Sequence, residues 1–199
     1  MAGSLGPTDA VVDFRDRDSL SAVAAEWHCA TIESLMSAAP WRTFRWRAGQ
    51  VHYSGTYWCA TTRDHVIYES RLELARLLFA DYDRTVLHVI AQPFLLRASV
   101  KRRIRRHVPD YLLFTDGIPT VVDVKPVDKL SAEKVRFTLD WTRELVEQRG
   151  WLYEVWTAFS GISPHFRPRR HLLSATELRT EMTERFAVWD EVTAPDTAA

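Results

Sequence analysis

The stretch that most constrains the fold is residues 107–125, near the middle of the 199-residue chain. Two apolar, strand-like runs meet there at Asp116-Gly117. Asp-Gly between hydrophobic runs is a strong hairpin signal, because a type I′ turn needs positive φ at both central residues. With Asp116 and Gly117 as the turn, Asp110 is predicted to lie opposite Asp123.

The predicted register brings like charges together. Opposed side chains in an antiparallel pair have Cβ atoms about 4.5–5.5 Å apart, and like charges at that distance are destabilising. A divalent cation is the simplest compensation for Asp110 and Asp123. Lys125 lies two residues after Asp123, so it points to the same face of the strand. The sequence therefore predicts two carboxylates and an ammonium on one patch of a mostly apolar hairpin.

Pro109-Asp110 followed by Asp123-Val124-Lys125 resembles the motif of the PD-(D/E)xK nucleases. That motif requires a further acid, which normally comes from a preceding helix. Residues 68–79 have helical apolar spacing and offer Glu73, with Glu69 as a rival one turn earlier. An alternative role for Glu73 is structural, because Ser70-Arg71-Leu72-Glu73 is also a capping box.

The resemblance and the order of elements predict an α/β fold. It comprises a restriction-endonuclease-like core, with a mixed central sheet flanked by helices, preceded by an N-terminal helix and an aromatic β-hairpin. The expected divisions of the chain are as follows: residues 1–10 disordered, 11–160 a single domain, 161–190 a loop and a helix, and 191–199 a frayed tail.

Within these divisions the sequence predicts individual elements. They are a strand at 11–14, a helix from Asp18 or Ser19 to Pro40, hairpins over 41–58, a helix at 69–79, a strand at 86–96 with Pro93 at a bulge or sheet edge, a long helix at 128–149 closed by Gly150, a strand at 151–159, an Arg-containing loop at 160–170 and a helix at 174–189.

A basic run precedes the hairpin, and it is predicted to be a loop. Its members are Lys101, Arg102, Arg103, Arg105 and Arg106, followed by His107. Such a run is ordinarily a solvated surface. Its position just before the candidate site makes contacts with DNA phosphates an equally good interpretation. His107 could also orient Asp110, and Gln92 could be a buried amide that holds the strand edge.

Composition limits the other possibilities. The 26 basic and 26 acidic residues balance, so nucleic-acid affinity must come from local patches. No apolar run approaches the ~18 residues of a membrane span, and no signal peptide is evident. Cys29 and Cys59 lack metal-ligand spacing and are interpreted as reduced, mostly buried thiols. These features predict a cytoplasmic protein without a membrane partner.

The candidate residues suit phosphodiester hydrolysis with Mg²⁺, for which Mn²⁺ should substitute. Mg²⁺ takes about six oxygen ligands and keeps several waters, so a few carboxylates suffice. Asp110, Asp123 and the Val124 carbonyl are the predicted ligands, with Glu73 completing the shell. Lys125 would position the attacking water or stabilise developing charge.

Four sequence blocks within residues 41–158 resemble the TnsA endonuclease subunit of heteromeric transposases. They are Glu69-Ser70-x-Leu72-Glu73-Leu74, Gln92-Pro93-Phe94, His107-x-Pro109-Asp110-Tyr111-Leu112 and Asp123-Val124-Lys125-Pro126.

The resemblance assigns catalytic roles to Glu73, Asp110, Asp123 and Lys125. It implies a Mg²⁺-dependent cut in double-stranded DNA at transposon ends, made alongside a DDE transposase and an AAA+ regulator. The sequence after the core is shorter than in the larger family members. Two alternatives are a stand-alone restriction or repair nuclease and a non-catalytic subunit that bridges transposase and DNA.

Overall fold

The structure, a computed structural model, describes residues 7–42 and 54–157, together with Thr180 and Thr183. The chain divides into two compact units, Met1–Thr157 and Ala158–Ala199. Residues 43–53 of the aromatic hairpins predicted over 41–58 lie outside the described residues. So do the loop and helix over 161–190, apart from those two threonines, and the tail over 191–199. The expected disorder of residues 1–6 also lies outside them.

The described residues form eleven strands and three α-helices. In chain order they are β1 (Thr8–Asp16), β2 (Ala22–Glu26), α1 (Ile32–Met36), β3 (Ala38–Ala39), β4 (Gly55–Cys59), β5 (Asp64–Tyr68), α2 (Arg71–Tyr82), β6 (Val86–Ala91), β7 (Leu95–Val100), β8 (Arg103–His107), β9 (Tyr111–Thr115), β10 (Thr120–Val124), α3 (Glu133–Gln148) and β11 (Leu152–Trp156).

The predicted hairpin is β9–β10, in the middle of a four-stranded sheet of order β11-β10-β9-β6. Tyr111 pairs with Val122 and Leu113 with Thr120, which confirms the predicted register. The sheet is mixed, as expected. After β10 the chain passes through α3 and then forms β11, which pairs with β10 in parallel, whereas the other pairs are antiparallel. The fold is therefore α/β.

The turn of that hairpin differs from the prediction. Neither Asp116 nor Gly117 has positive φ, so the turn is not type I′. Instead, Thr115 Oγ1 accepts a hydrogen bond from the Gly117 amide and donates one to the Ile118 carbonyl. A type I′ conformation occurs at Lys101-Arg102, where both φ values are positive and Val100 pairs with Arg103.

The predicted basic loop is therefore wrong, because its residues form the β7–β8 hairpin. The single strand predicted over 86–96 is also wrong, since β6 and β7 belong to different sheets. The chain changes sheets at Gln92-Pro93, where Gln92 has φ 47°. Proline supplies no amide hydrogen to continue a ladder, which allows the break at this point.

The second sheet, of order β2-β1-β7-β8 with β3 also on β1, replaces the predicted N-terminal helix. The Asp16 carboxylate accepts hydrogen bonds from the amides of Asp18 and Ser19 and so forms the turn between β1 and β2. Helical structure in this segment is limited to α1. Residues 8–10 belong to β1 and are not disordered as predicted.

One hydrophobic core joins the two larger sheets. Buried side chains from both sheets and from α3 meet in it, among them Val12, Leu96, Leu112 and Leu145. Trp27 is fully buried there, and its indole nitrogen donates to the Leu145 carbonyl. This core fixes β9, β10 and α3 in place, and these elements surround the candidate site.

The ends of two helices agree with their sequence signals. Ser70 caps α2, so the predicted helix over 69–79 begins two residues later. At the end of α3, Gly150 has φ 78°, and the amides of Gly150 and Trp151 donate to the carbonyls of Glu147 and Val146. This is a Schellman motif and confirms Gly150 as the residue that ends the helix.

Candidate active site

Lys125 lies at the centre of the candidate site. Its Nζ is 2.9 Å from Asp110 Oδ2 and 3.4 Å from Asp123 Oδ1, and it donates to the Val124 carbonyl at 3.0 Å. The structure thus brings together the two carboxylates and the ammonium. Burial alone would lower the pKa of Lys125, but the charges of Asp110 and Asp123 outweigh it and raise the pKa above its ordinary value. The side chain therefore stays protonated.

Asp110 lies one residue before β9, at the edge of the ladder rather than within it. Its amide donates to the Val122 carbonyl at 3.0 Å, and its Oδ2 accepts from the Val124 amide at 2.7 Å. Asp110 was predicted to pair directly with Asp123 across the ladder. The structure instead has these two hydrogen bonds, which hold the ends of the two strands together. Oδ1 accepts no hydrogen bond from the described residues. Burial and the charge of Asp123 raise the pKa of Asp110, although Lys125 opposes them.

Asp123 is fully buried, and both of its oxygens are engaged. Tyr153 donates its hydroxyl to Oδ2 at 2.5 Å, and His107 Nε2 lies 2.9 and 2.8 Å from Oδ1 and Oδ2. Burial acts to raise the pKa of Asp123, but these bonds and the charge of Lys125 prevail and lower it. Asp123 is thus held as a carboxylate by three partners.

Two of these contacts were not expected from the sequence. His107 was a candidate partner of Asp110, whereas its imidazole contacts Asp123 and packs edge-on against Trp141. Tyr153 was not identified as a site residue. No local pattern marks it, because it reaches Asp123 only through the parallel pairing of β11 with β10.

Glu73 is both a helix cap and a neighbour of the cluster. Its amide donates to Ser70 Oγ, while its carboxylate accepts from Ser70 Oγ at 2.9 Å and from the Glu69 amide at 2.7 Å. This confirms the capping box. Burial, and next the negative charge of Asp110, raises the pKa of Glu73 to about 7. An electrostatic coupling therefore connects α2 to the β9–β10 site.

Gln92 links the segments around the site. Its backbone nitrogen donates to the Asp110 carbonyl at 2.8 Å. Its side-chain amide donates to Glu69 Oε1 at 2.8 Å and accepts from the backbone amide of Arg42. The prediction of a buried amide at the strand edge is confirmed. Glu69, the rival acid, precedes α2 and contacts Gln92, whereas Glu73 interacts electrostatically with Asp110.

All six predicted DNA-binding residues lie on the β7–β8 hairpin. Lys101, Arg102, Arg103 and Arg106 are exposed, and Arg105 is half-buried. His107 is different, because only 13% of its side chain is exposed and it contacts Asp123. The hairpin therefore carries a row of cations that ends at the candidate site.

The cysteines differ from their predicted burial. Cys59 is buried, and burial raises the pKa of its thiol. Cys29 is exposed, so the interpretation of both thiols as mostly buried is wrong for this residue. Both are free thiols, as expected.

Three further findings bear on the function. Among the described residues, no group of three or more His, Cys, Asp or Glu side chains is arranged to hold a metal ion. Within the same part of the chain, no helix has the length and apolar character needed to cross a membrane. Comparisons of the sequence with models of protein families and with curated proteins gave no match.

Proposed function

We propose that this chain is a metal-dependent DNA endonuclease with a PD-(D/E)xK core, and that it cuts transposon ends as the TnsA-like subunit of a heteromeric transposase. The observation that carries the proposal is the meeting of Asp110, Asp123 and Lys125 at one strand end, with Glu73 coupled to Asp110. Asp110 and Glu73 are partly buried and have raised pKa values, and a divalent cation beside them would stabilise both as anions.

The donors suit Mg²⁺, which prefers oxygen ligands. Asp110 offers Oδ1, and Glu73 offers a carboxylate that accepts only two short-range hydrogen bonds. The Val124 carbonyl is a further candidate, although Lys125 now donates to it. Asp123 would have to lose its hydrogen bond from Tyr153, His107 or Lys125 before one of its oxygens could bind a metal ion. When bound, such an ion would polarise the scissile phosphate and acidify a water.

The chain's own residues would supply the other parts of the reaction. Lys125 is a protonated donor, so its role is to stabilise charge that develops on the phosphate oxygens rather than to remove a proton. Asp123, fixed by His107 and Tyr153, orients that ammonium. The hydrogen bond from the Val124 amide keeps Asp110 at the same strand end.

The place of this activity in a transposase complex rests on the resemblance of the four sequence blocks. On that basis the partners are DNA at transposon ends, a DDE transposase that cuts the other strand and joins the ends, and an AAA+ regulator.

A nicking assay tests the proposal. DNA that carries the ends of the chain's own element would be incubated with the chain, its transposase partner and Mg²⁺, with Asp110→Asn as the inactive variant and Arg84→Ala as the control. Arg84 is exposed and precedes Thr85, whose carbonyl bonds the Asp116 amide at the remote end of β9. Mg²⁺-dependent nicks lost only in Asp110→Asn support the proposal, and nicks unaffected by that substitution refute it.

The engagement of both Asp123 oxygens by His107, Tyr153 and Lys125 favours one alternative, a non-catalytic subunit that bridges transposase and DNA. A transposition assay with the same variants separates the two functions. If Asp110→Asn assembled normally with the transposase and transposition continued at the wild-type rate, the bridging function would be supported.

A further inference from the structure

A groove of about 450 Å³ lies between β8 and the first half of α3. Its walls combine basic, apolar and hydroxyl side chains and contain no acid: Ile104, Arg105, Arg106, Lys134, Phe137, Thr138 and Trp141. The α3 residues were not candidates in the sequence, because they are adjacent to the basic run only in the folded chain.

The ring of Phe137 organises the cations of this groove. Lys101 Nζ lies 5.2 Å and Arg105 Cζ lies 5.0 Å from the ring centroid. Contacts of this kind attract a cation to the face of an aromatic ring and restrict its side chain. Two cations are thus held in place without neutralisation of their charge.

None of the basic side chains at this surface forms an ion pair with another described residue, whereas other cations of the molecule do. The surface comprises Lys101, Arg102, Arg103, Arg105, Arg106 and Lys134. In addition, the Nε of Arg105 is buried and has no hydrogen-bond acceptor within the described structure. A buried donor without an acceptor is costly, so this geometry favours an anionic ligand with acceptor oxygens.

The groove is linked to the candidate active site by two side chains. Trp141 lines the groove and also contacts the imidazole of His107, which in turn contacts Asp123. A chain of phosphates that occupied the groove would therefore lead towards Lys125. An isolated anion would not need a row of cations along a strand.

We propose that the β8–α3 groove binds the sugar-phosphate backbone of the DNA strand that leads to the cleavage site. This inference rests on the proposed function and adds Lys134, Phe137 and Thr138 to the DNA contacts. Ile104 lines the same groove and is 65% exposed, so its side chain offers the sugars of that strand an apolar contact.

The salt dependence of DNA binding tests this proposal. Affinity of the whole chain for a fluorescent duplex of arbitrary sequence would be measured by anisotropy, without divalent cations, over a series of salt concentrations. Each phosphate contact contributes about 0.9 to the log–log salt slope. We expect Lys134→Ala and Arg106→Ala each to lower the slope by about one, and Arg84→Ala to leave it unchanged.

Phe137→Leu provides a second, independent variant. It keeps every charge but removes the ring that positions Lys101 and Arg105, so the slope should stay constant while affinity falls about 2- to 5-fold. Thermal unfolding of each variant controls for folding. Wild-type affinity and slope in folded Lys134→Ala and Phe137→Leu would overturn the proposal, and the groove would then suit an acidic protein segment.

This test is separable from the test of catalysis. Altered slopes in a chain that never nicks DNA would keep the groove and reject the endonuclease. Unaltered slopes in a chain whose nicking depends on Asp110 would reject the groove and keep the endonuclease.

Discussion

Replacement of Glu73 by glutamine should remove one pH-dependent contribution to the stability of the metal-free protein. The pKa of Glu73 is about 7 in the folded chain and 4.5 ordinarily. A raised pKa contributes stability that is fully present below about 4.5 and is lost as the pH rises through 7. The difference corresponds to about 3 kcal/mol in the free energy of unfolding.

Glutamine removes that titration but weakens the capping box, at a cost of about 1 kcal/mol for a hydrogen bond. Glu73→Gln should therefore be about 1 kcal/mol less stable than wild type near pH 4.5 and about 2 kcal/mol more stable near pH 8. The burial and neighbouring charge that raise the pKa of Glu73 produce this crossover.

Urea unfolding in EDTA from pH 4.5 to 8 measures the effect, and the difference between the two proteins isolates Glu73 from other titrating groups. Mg²⁺ at pH 8 should stabilise wild type more than the variant. Parallel pH profiles, with a constant difference between the proteins, would refute the electrostatic reasoning.

Three further changes have definite expected outcomes. Tyr153→Phe removes a hydrogen bond to a buried carboxylate and should lower the free energy of unfolding by about 1.5–3 kcal/mol, measured by urea unfolding; an unchanged value would contradict the role of Tyr153 at Asp123. Gln92→Leu should cost about 1–2 kcal/mol in the same assay, because the buried Gln92 side chain loses its hydrogen bonds with the Glu69 carboxylate and the Arg42 backbone amide, and a stabilised variant would show those bonds to be unimportant. In a thiol titration with an aromatic disulfide reagent, the native protein should expose one reactive thiol, Cys29, and the unfolded protein two; rapid reaction of Cys59 in the native state would contradict its burial.

The β9–β10 register was predictable because it depends on residues close in sequence. Apolar alternation and the turn at Asp116-Gly117 bring Tyr111 opposite Val122 whether or not the turn is type I′. The two helix ends at Ser70 and Gly150 were predictable for the same reason, since caps are local hydrogen-bond patterns.

The errors lie where distant segments decide the structure. The spacing of Val23 and Trp27 suits a helix, but β1 pairs with both β2 and β7, and the second pairing joins segments far apart in sequence. Likewise, β6 and β7 form one apolar run in the sequence. The chain changes sheets between them at Gln92, whose positive φ the sequence does not reveal.

At the site, sequence reasoning found the residues of the motif but not their supports. Asp110, Asp123 and Lys125 converge as expected, whereas the contacts of His107 and Tyr153 with Asp123 follow from tertiary structure. The groove beside β8 could not be predicted from the sequence for the same reason, because its other wall is formed by α3.

We propose that Asp110 and Glu73 form a divalent-cation site beside Lys125. Calorimetric titration of the whole chain with Mn²⁺ at pH 8 tests it most directly, with Asp110→Asn, Glu73→Gln and the Arg84→Ala control. We predict saturable binding in wild type and Arg84→Ala, weakened at least about tenfold by Asp110→Asn through loss of a carboxylate ligand. Saturable binding that both Asp110→Asn and Glu73→Gln leave unchanged, or no binding in wild type, would contradict it.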